Sequence, residues 1–280
     1  MMPVHHVAAA GASFAVHTAG SGMPLVLLHG FPLDHRMWAG QAALAEAFRV
    51  IAPDLRGFGG SGGSTTTGIA ALADDVAALL DALRVTQPAV ICGLSMGGYV
   101  AQHVAERHPE KVAALVLVDT KLEADTPEAR VARVDLAAKV GRLGQEIVAE
   151  AMLPRLLAGS PAARGLPGRA ATEATLRRMI VEQPVATIQA ALAALGGRPD
   201  MTEAMRHVRA PTLLVVGAED AITPPECLMR AEAIMPCARL LVVPGAGHMT
   251  PLETPEVFNA AVLEFLRAAP GAVGGAGPRA

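Results

Sequence analysis

The stretch Ala89-Val90-Ile91-Cys92-Gly93-Leu94-Ser95-Met96-Gly97-Gly98 decides the fold. Its first four residues form a short apolar run that reads as a buried strand, and a helical pattern follows over 97–107. A serine between strand and helix, with glycine two residues away on either side, marks a tight turn. Its backbone is strained and its hydroxyl projects from the sheet. The helix that follows points unsatisfied N–H groups and its positive end toward that hydroxyl. Ser95 is therefore the candidate nucleophile. The alternative is an ordinary Gly-rich turn in which Ser95 only caps a helix.

Working outward, apolar runs at 24–29, 49–52 and 112–118 alternate with helical patterns at 38–48 and 69–83. In the 69–83 segment Ile69, Leu72, Ala73, Val76, Leu79, Leu80 and Leu83 fall on one stripe, with Asp74, Asp75 and Asp81 off it. The strands are too hydrophobic to keep one face wet, so the pattern predicts a mainly parallel sheet covered by helices on both sides. Residues 13–18, followed by Gly20-Ser21-Gly22, read as an edge strand and a turn. Residues 121–205 carry helical stretches punctuated by proline, with no convincing strand and no Phe, Tyr or Trp. The β/α rhythm then returns, with strands at 212–216 and 239–243 and helices at 226–235 and 255–267. The expected organisation is an α/β core from 1–120 and 206–269 and an inserted helical block at 121–205. The Gly-, Ala- and Pro-rich tail at 270–280 is expected to be disordered.

Composition narrows the function classes. Of 280 residues, 23 are basic and 26 acidic, a net charge of −3, which supplies no general field for nucleic acid or an anionic membrane. Apolar residues at 52% against 18% charged provide for a large core, and aromatics at 3% leave that core to Ala, Val and Leu. No apolar run approaches the roughly 20 residues of a membrane helix, and residues 1–20 lack the basic start and apolar stretch of a signal peptide. Cys92, Cys227 and Cys237 are too few and too scattered for a disulfide framework or a zinc site. The expectation is a cytoplasmic protein with a small-molecule substrate, no metal and no cofactor. Self-association is left open.

A serine hydroxyl needs a base to take its proton. His248, in Gly245-Ala246-Gly247-His248-Met249 after the last strand, is the candidate. Asp220 follows the strand at 212–216 and would orient the imidazole, giving the chain order Ser…Asp…His. Glu219 and Asp119 are the alternative acids. One oxyanion donor is the N–H of Met96, directly after the nucleophile. The other is the N–H of Phe31 in His29-Gly30-Phe31-Pro32, since Pro32 has none to give. His29 reads as a structural hydrogen-bonder.

Taken together, His29-Gly30-Phe31-Pro32, Asp54-Leu55-Arg56-Gly57-Phe58-Gly59-Gly60-Ser61, Gly93-Leu94-Ser95-Met96-Gly97-Gly98, Gly217-Ala218-Glu219-Asp220 and Gly247-His248 resemble the α/β-hydrolase fold superfamily in order and spacing. The resemblance implies an eight-stranded, mostly parallel sheet with a helical cap after the sixth strand. It also implies that Asp54 and Arg56 hold a loop by hydrogen bonds. The chain looks most like small esterases, 3-oxoadipate enol-lactonases and cofactor-free haloperoxidases. Serine at position 95 departs from the aspartate nucleophile of haloalkane dehalogenases and epoxide hydrolases. The His-Gly-Phe-Pro loop departs from the His-Gly-Gly-Gly of many lipases and the His-Gly-Gly-Pro-Gly of proline iminopeptidases.

The expected activity is hydrolysis of a small carboxylic ester or lactone through an acyl-enzyme. Alternatives are perhydrolase or haloperoxidase chemistry, with peroxide replacing water, and a ligand sensor without turnover. Carbon–carbon bond hydrolysis or lyase chemistry is a third, for which no pocket is identifiable in the sequence. The near wall of the pocket is assigned to Phe31, Trp38, Leu94 and Met96, with Met249 beside them. For Trp38, Met37, Met96 and Met249, plain core packing is the competing reading. Five arginines of the inserted block (Arg130, Arg133, Arg155, Arg177, Arg178) are available, with nothing in the sequence to say which faces inward. Cys92, inside its strand, reads as buried and inert.

Overall fold

A computed structural model of the chain describes residues 3–63, 68–165 and 168–268, so the expected disorder at 270–280 lies outside the described residues. One eight-stranded sheet organises the molecule: β1 (Val4–Ala9), β2 (Ala12–Ala19), β3 (Pro24–Leu28), β4 (Arg49–Pro53), β5 (Ala89–Leu94), β6 (Val112–Val118), β7 (Thr212–Gly217) and β8 (Ala238–Val243). The spatial order is β1-β2-β4-β3-β5-β6-β7-β8. β1 and β2 join by antiparallel ladders, and every pairing from β4 through β8 is parallel. Every residue of β3, β5 and β7 is buried, as strands covered on both faces require.

Helices α1 (Ile69–Ala82), α2 (Met96–Arg107), α9 (Pro225–Ile234), α10 (Thr250–Glu253) and α11 (Pro255–Ala268) belong to the core, and α3 (Pro127–Leu143), α4 (Glu146–Leu156), α5 (Pro161–Arg164), α6 (Arg169–Val181), α7 (Val185–Gly197) and α8 (Thr202–Arg206) fill the space between β6 and β7 in sequence. Among the described residues no single helix is long and apolar enough to cross a membrane. The inserted helices are tied to the core by Gln183, whose Oε1 accepts from the Gly59 N–H (2.9 Å) and whose Nε2 donates to Asp34 Oδ2 (3.1 Å). Thr187 adds a bond from its hydroxyl to the Gly57 carbonyl (3.0 Å).

Three local expectations need correction. The segment at 13–18 is not the sheet edge. It lies in β2, and β1 pairs outside it from Val4↔His17 to Ala9↔Ala12. The expected helix at 38–48 is a 3-10 helix, His35–Glu46, interrupted at Trp38 (φ −94°, ψ 16°). In α1 the apolar stripe is buried as expected, but Asp75 is buried with it. The Arg56 guanidinium forks onto that carboxylate, with Nε donating to Oδ2 at 2.6 Å, so an ion pair lets a charged residue lie under cover.

The parallel strands place all their C-terminal ends on one rim. Phe31, Ser95, Asp119, Asp220 and His248 each follow such an end, although the first and last are 217 positions apart in the chain.

Candidate active site

Ser95 sits between β5 and α2 with φ 52° and ψ −111°. A non-glycine residue at positive φ is strained, and it persists here because its neighbours fix it. The Ser95 N–H donates to the Val118 carbonyl (2.9 Å), and its carbonyl accepts from the Tyr99 N–H (3.1 Å) and the Thr120 hydroxyl (3.0 Å). The turn closes only because its flanking residues lack side chains. A Cβ on Gly93 would lie 2.1 Å from the Gly97 carbonyl oxygen, and one on Gly97 would lie 2.1 Å from that of Leu28.

His248 and Asp220 meet after β8 and β7. Nδ1 of the imidazole is 2.8 Å from Asp220 Oδ2, and both side chains are buried. Asp220 is fixed by the N–H groups of Ile222 (2.8 Å) and Thr223 (3.0 Å) on Oδ1 and by the Thr223 hydroxyl (2.8 Å) on Oδ2. The same hydroxyl lies 3.3 Å from His248 Nδ1. Burial opposes charge on both partners. On Asp220 it is outweighed by the imidazole and by these donors, so the carboxyl is held below its ordinary value. On His248 it is outweighed by the charge and hydrogen bond of Asp220 and by the charge of Asp119, so the imidazole is held above its ordinary 6.5. Among the described residues no hydrogen bond joins the Ser95 hydroxyl to His248.

The two alternative acids are engaged elsewhere. Glu219 accepts from the Ser160 N–H (2.7 Å). Asp119, fully buried with φ 44°, accepts from the Gly217 N–H (3.0 Å), the Thr250 N–H (3.0 Å) and the Thr250 hydroxyl (3.0 Å). It thereby ties the ends of β6 and β7 to the segment that carries His248. Burial and the nearby Asp220 charge raise its pKa to about 7.

The loop after β3 runs beside Ser95. A Cβ on Gly30 would lie 2.9 Å from Leu94 Cδ2 and 3.5 Å from Ser95 Cβ. The Gly30 N–H is directed to Met37 Sδ (3.4 Å). Among the described residues the N–H groups of Phe31 and Met96 donate to no protein acceptor. His29 is fully buried, with Nε2 accepting from the Leu55 N–H (2.9 Å) and Nδ1 3.0 Å from the Gly30 carbonyl. Desolvation lowers its pKa, which suits a neutral ring with a structural task. Asp54 holds the same region, accepting from the N–H groups of His35 (2.8 Å) and Gly60 (2.8 Å).

A cavity of about 400 Å³ lies between the inserted helices and this rim. Phe31, Tyr99, Ile222 and Thr223 line it from the core, and Leu136, Met152 and Leu192 from the insertion. A larger cavity, about 670 Å³, opens at the opposite strand ends beside Val112 and is remote from these groups. Of the pocket residues named from sequence, Phe31 lines the cavity. Trp38, Leu94, Met96 and Met249 do not, being buried in the packed core. The Trp38 ring lies 6.2 Å from that of Phe258, between centroids. Of the five arginines, Arg133 and Arg155 face the cavity. Tyr99, Thr223 and Thr250 carried no sequence signal. Each acquires its place only when distant strand ends come together.

Cys92 is buried in β5, and burial raises its thiol pKa. Among the described residues His17, His35 and Asp54 form the group that brings three possible metal donors within 4.8 Å of one another. His35 Nδ1 lies 2.8 Å from Asp54 Oδ1, and the His17 and His35 rings stack with centroids 3.4 Å apart.

The sequence model for the alpha/beta hydrolase fold matches residues 23–255. The chain is 31% identical over 263 residues to pimeloyl-(acyl-carrier protein) methyl ester esterase of Edwardsiella ictaluri, covering 89% of this chain and 95% of that protein. It is 38% identical to a thermophilic esterase from Thermogutta terrifontis, solved with malate bound, at a TM-score of 0.89 over 95% of this chain and 98% of the other. The enol-lactonase from Burkholderia xenovorans LB400 is 27% identical at a TM-score of 0.85, covering 94% and 100% of the two chains. A family match that spans most of the sheet, with near full-length similarity to those proteins, means that the chain belongs to the α/β hydrolase fold family.

Proposed function

We propose that the protein hydrolyses a small carboxylic ester or lactone through an acyl-enzyme on Ser95. The observation that carries this reading is the 2.8 Å contact between His248 Nδ1 and Asp220, on the same rim as the strained Ser95 turn. With Nδ1 engaged, Nε2 is the nitrogen that takes the Ser95 proton as Oγ attacks the acyl carbon. Asp220 fixes the tautomer and stabilises the imidazolium that forms. The negative oxygen of the tetrahedral species is received by the N–H groups of Phe31 and Met96, which have no protein acceptor among the described residues. The imidazolium then gives its proton to the departing alkoxide. A water, deprotonated by His248, attacks the acyl-enzyme and releases the acid and the free serine. These steps call on no cofactor.

In this reading the helices between β6 and β7 act as a cap, and the cavity beneath them holds the acyl or lactone group. Esterase and lactonase relatives support an ester as the substrate class. The test is p-nitrophenyl acetate turnover by wild type and Ser95→Ala. A burst followed by steady turnover, absent in the variant, is expected. One stoichiometric burst without turnover would assign a sensor instead. A peroxide arm separates hydrolysis from perhydrolysis.

A further inference from the structure

The cavity under the inserted helices carries more positive than negative charge. Lys121, Arg133 and Arg155 line it against one carboxylate, Asp125. That carboxylate is already saturated. It pairs with Arg133, accepts from Arg198 Nη1 at 2.8 Å, and lies 3.5 Å from Lys121 Nζ. Arg133 and Arg198 hold Asp125 down to about 2 against the burial that would raise it. Arg198 is further occupied by the Tyr99 ring, 4.1 Å from its guanidinium carbon. Arg155 is different. Among the described residues no carboxylate lies within 4.0 Å of its guanidinium, and its hydrogen bond goes to the Ala221 carbonyl (2.9 Å). Ala221 directly follows Asp220, so the fork is anchored beside the acid–base pair with further donors to spare. A planar guanidinium in that position matches a carboxylate in two-point geometry.

We propose that Arg155 receives a second, anionic carboxylate on the acyl chain of the substrate, making this a hydrolase of half-esters of dicarboxylic acids. The inference rests on the ester-hydrolase reading above. The phenyl rings of Phe31 and Tyr99 and the side chains of Leu136, Met152 and Leu192 bound the methylene chain. Arg155 meets the charge, with Lys121 as a further cation lining the same cavity. With a neutral acyl chain the exposed fork keeps only the Ala221 carbonyl and solvent as partners. A charged one gains a charge-assisted pair that both the Michaelis complex and the acyl-enzyme retain.

Monoethyl esters of dicarboxylic acids from four to eight carbons, each paired with the neutral ethyl ester of the same length, test this directly. The readout is the ratio of kcat/KM, charged over neutral, for wild type, Arg155→Gln and Arg155→Lys. The wild-type ratio is expected to reach about tenfold or more at one chain length, to approach one in Arg155→Gln, and to be intermediate in Arg155→Lys. Calorimetric binding of the same pairs to Ser95→Ala reads the subsite without turnover. Preferential binding of the half-ester without hydrolysis by wild type would keep the anion site and overturn the hydrolase reading. Hydrolysis with a ratio near one at every length, or a ratio unmoved by Arg155→Gln, would overturn the role of Arg155.

Discussion

Oδ2 of Asp220 lies 2.8 Å from Nδ1 of His248, and the Thr223 hydroxyl bonds the same carboxylate oxygen. The pair is fixed through Nδ1, which leaves Nε2 as the nitrogen that the proposed mechanism assigns to the serine. Because Asp220 and Asp119 hold the His248 pKa above 6.5 against burial, the proposed base loses its proton at a higher pH than a free histidine. Activity should therefore rise with pH, with a midpoint above 6.5. In Asp220→Asn the main opposing charge is gone, so the midpoint should move down while the rate falls about 10³-fold or more. A pH profile of kcat/KM for both proteins reads both effects; an unmoved midpoint in the variant would separate Asp220 from the base.

Ser95→Ala should lower esterase turnover by about 10³-fold or more in a protein that still folds. Ser95→Gly should be equally inactive yet more stable than Ser95→Ala by about 1 kcal/mol, since φ 52° suits glycine and strains alanine. Urea unfolding of the two variants measures the difference.

Gly97→Ala should be severe, because its Cβ would meet the Leu28 carbonyl oxygen at 2.1 Å. Both partners are backbone, at a strand end and at a helix start, and neither yields as a flexible side chain would. A loss of about 3 kcal/mol or more, or failure to accumulate folded protein, is expected. A variant with wild-type thermal stability would show that the β5–α2 turn relaxes freely.

Asp119 gives stability its own pH dependence. Its folded-state pKa is raised from 3.8 to about 7, so the folded protein binds a proton that the unfolded chain releases between those values. That contribution is complete below about pH 4 and is lost as pH climbs through 7. Asp119→Asn should flatten the fall in unfolding free energy between pH 5 and 8. It should also be destabilised at every pH, because an amide NH₂ on either side sets a donor against the Thr250 or Gly217 donors. Urea titrations across that range check both parts; parallel slopes for the two proteins would mean that Asp119 stays ionised throughout.

Much of the fold is written in local patterns. The apolar runs that become β3 through β8 are short, continuous and bounded by turn residues, which is what a buried parallel strand requires. β1 escapes this reading because Val4-His5-His6-Val7-Ala8-Ala9 is largely exposed and has no buried face to impose a period. Its place comes from the backbone ladder to β2. The break at Trp38 is equally invisible, since composition does not distinguish an α-helix from a 3-10 segment. In the site, Ser95, Asp220 and His248 stand out because each carries its signal in adjacent glycines or strand ends. Thr223, Thr250 and Tyr99 do not, because their roles are relations across space. Trp38, Leu94 and Met249 show the converse: apolar residues near a motif serve packing as readily as recognition, and here the core holds them.

The Asp119 bonds to Gly217 and Thr250 join residues 98 and 131 positions apart in the chain. They fasten the C-terminal ends of β6 and β7 to each other and to the segment that carries His248, at the point where the polypeptide leaves β6 for the inserted helices. The departure into those helices is thereby fixed by residues outside them. If those helices form the proposed cap, one set can be exchanged for another, altering what is admitted, while the strand ends beneath keep their place.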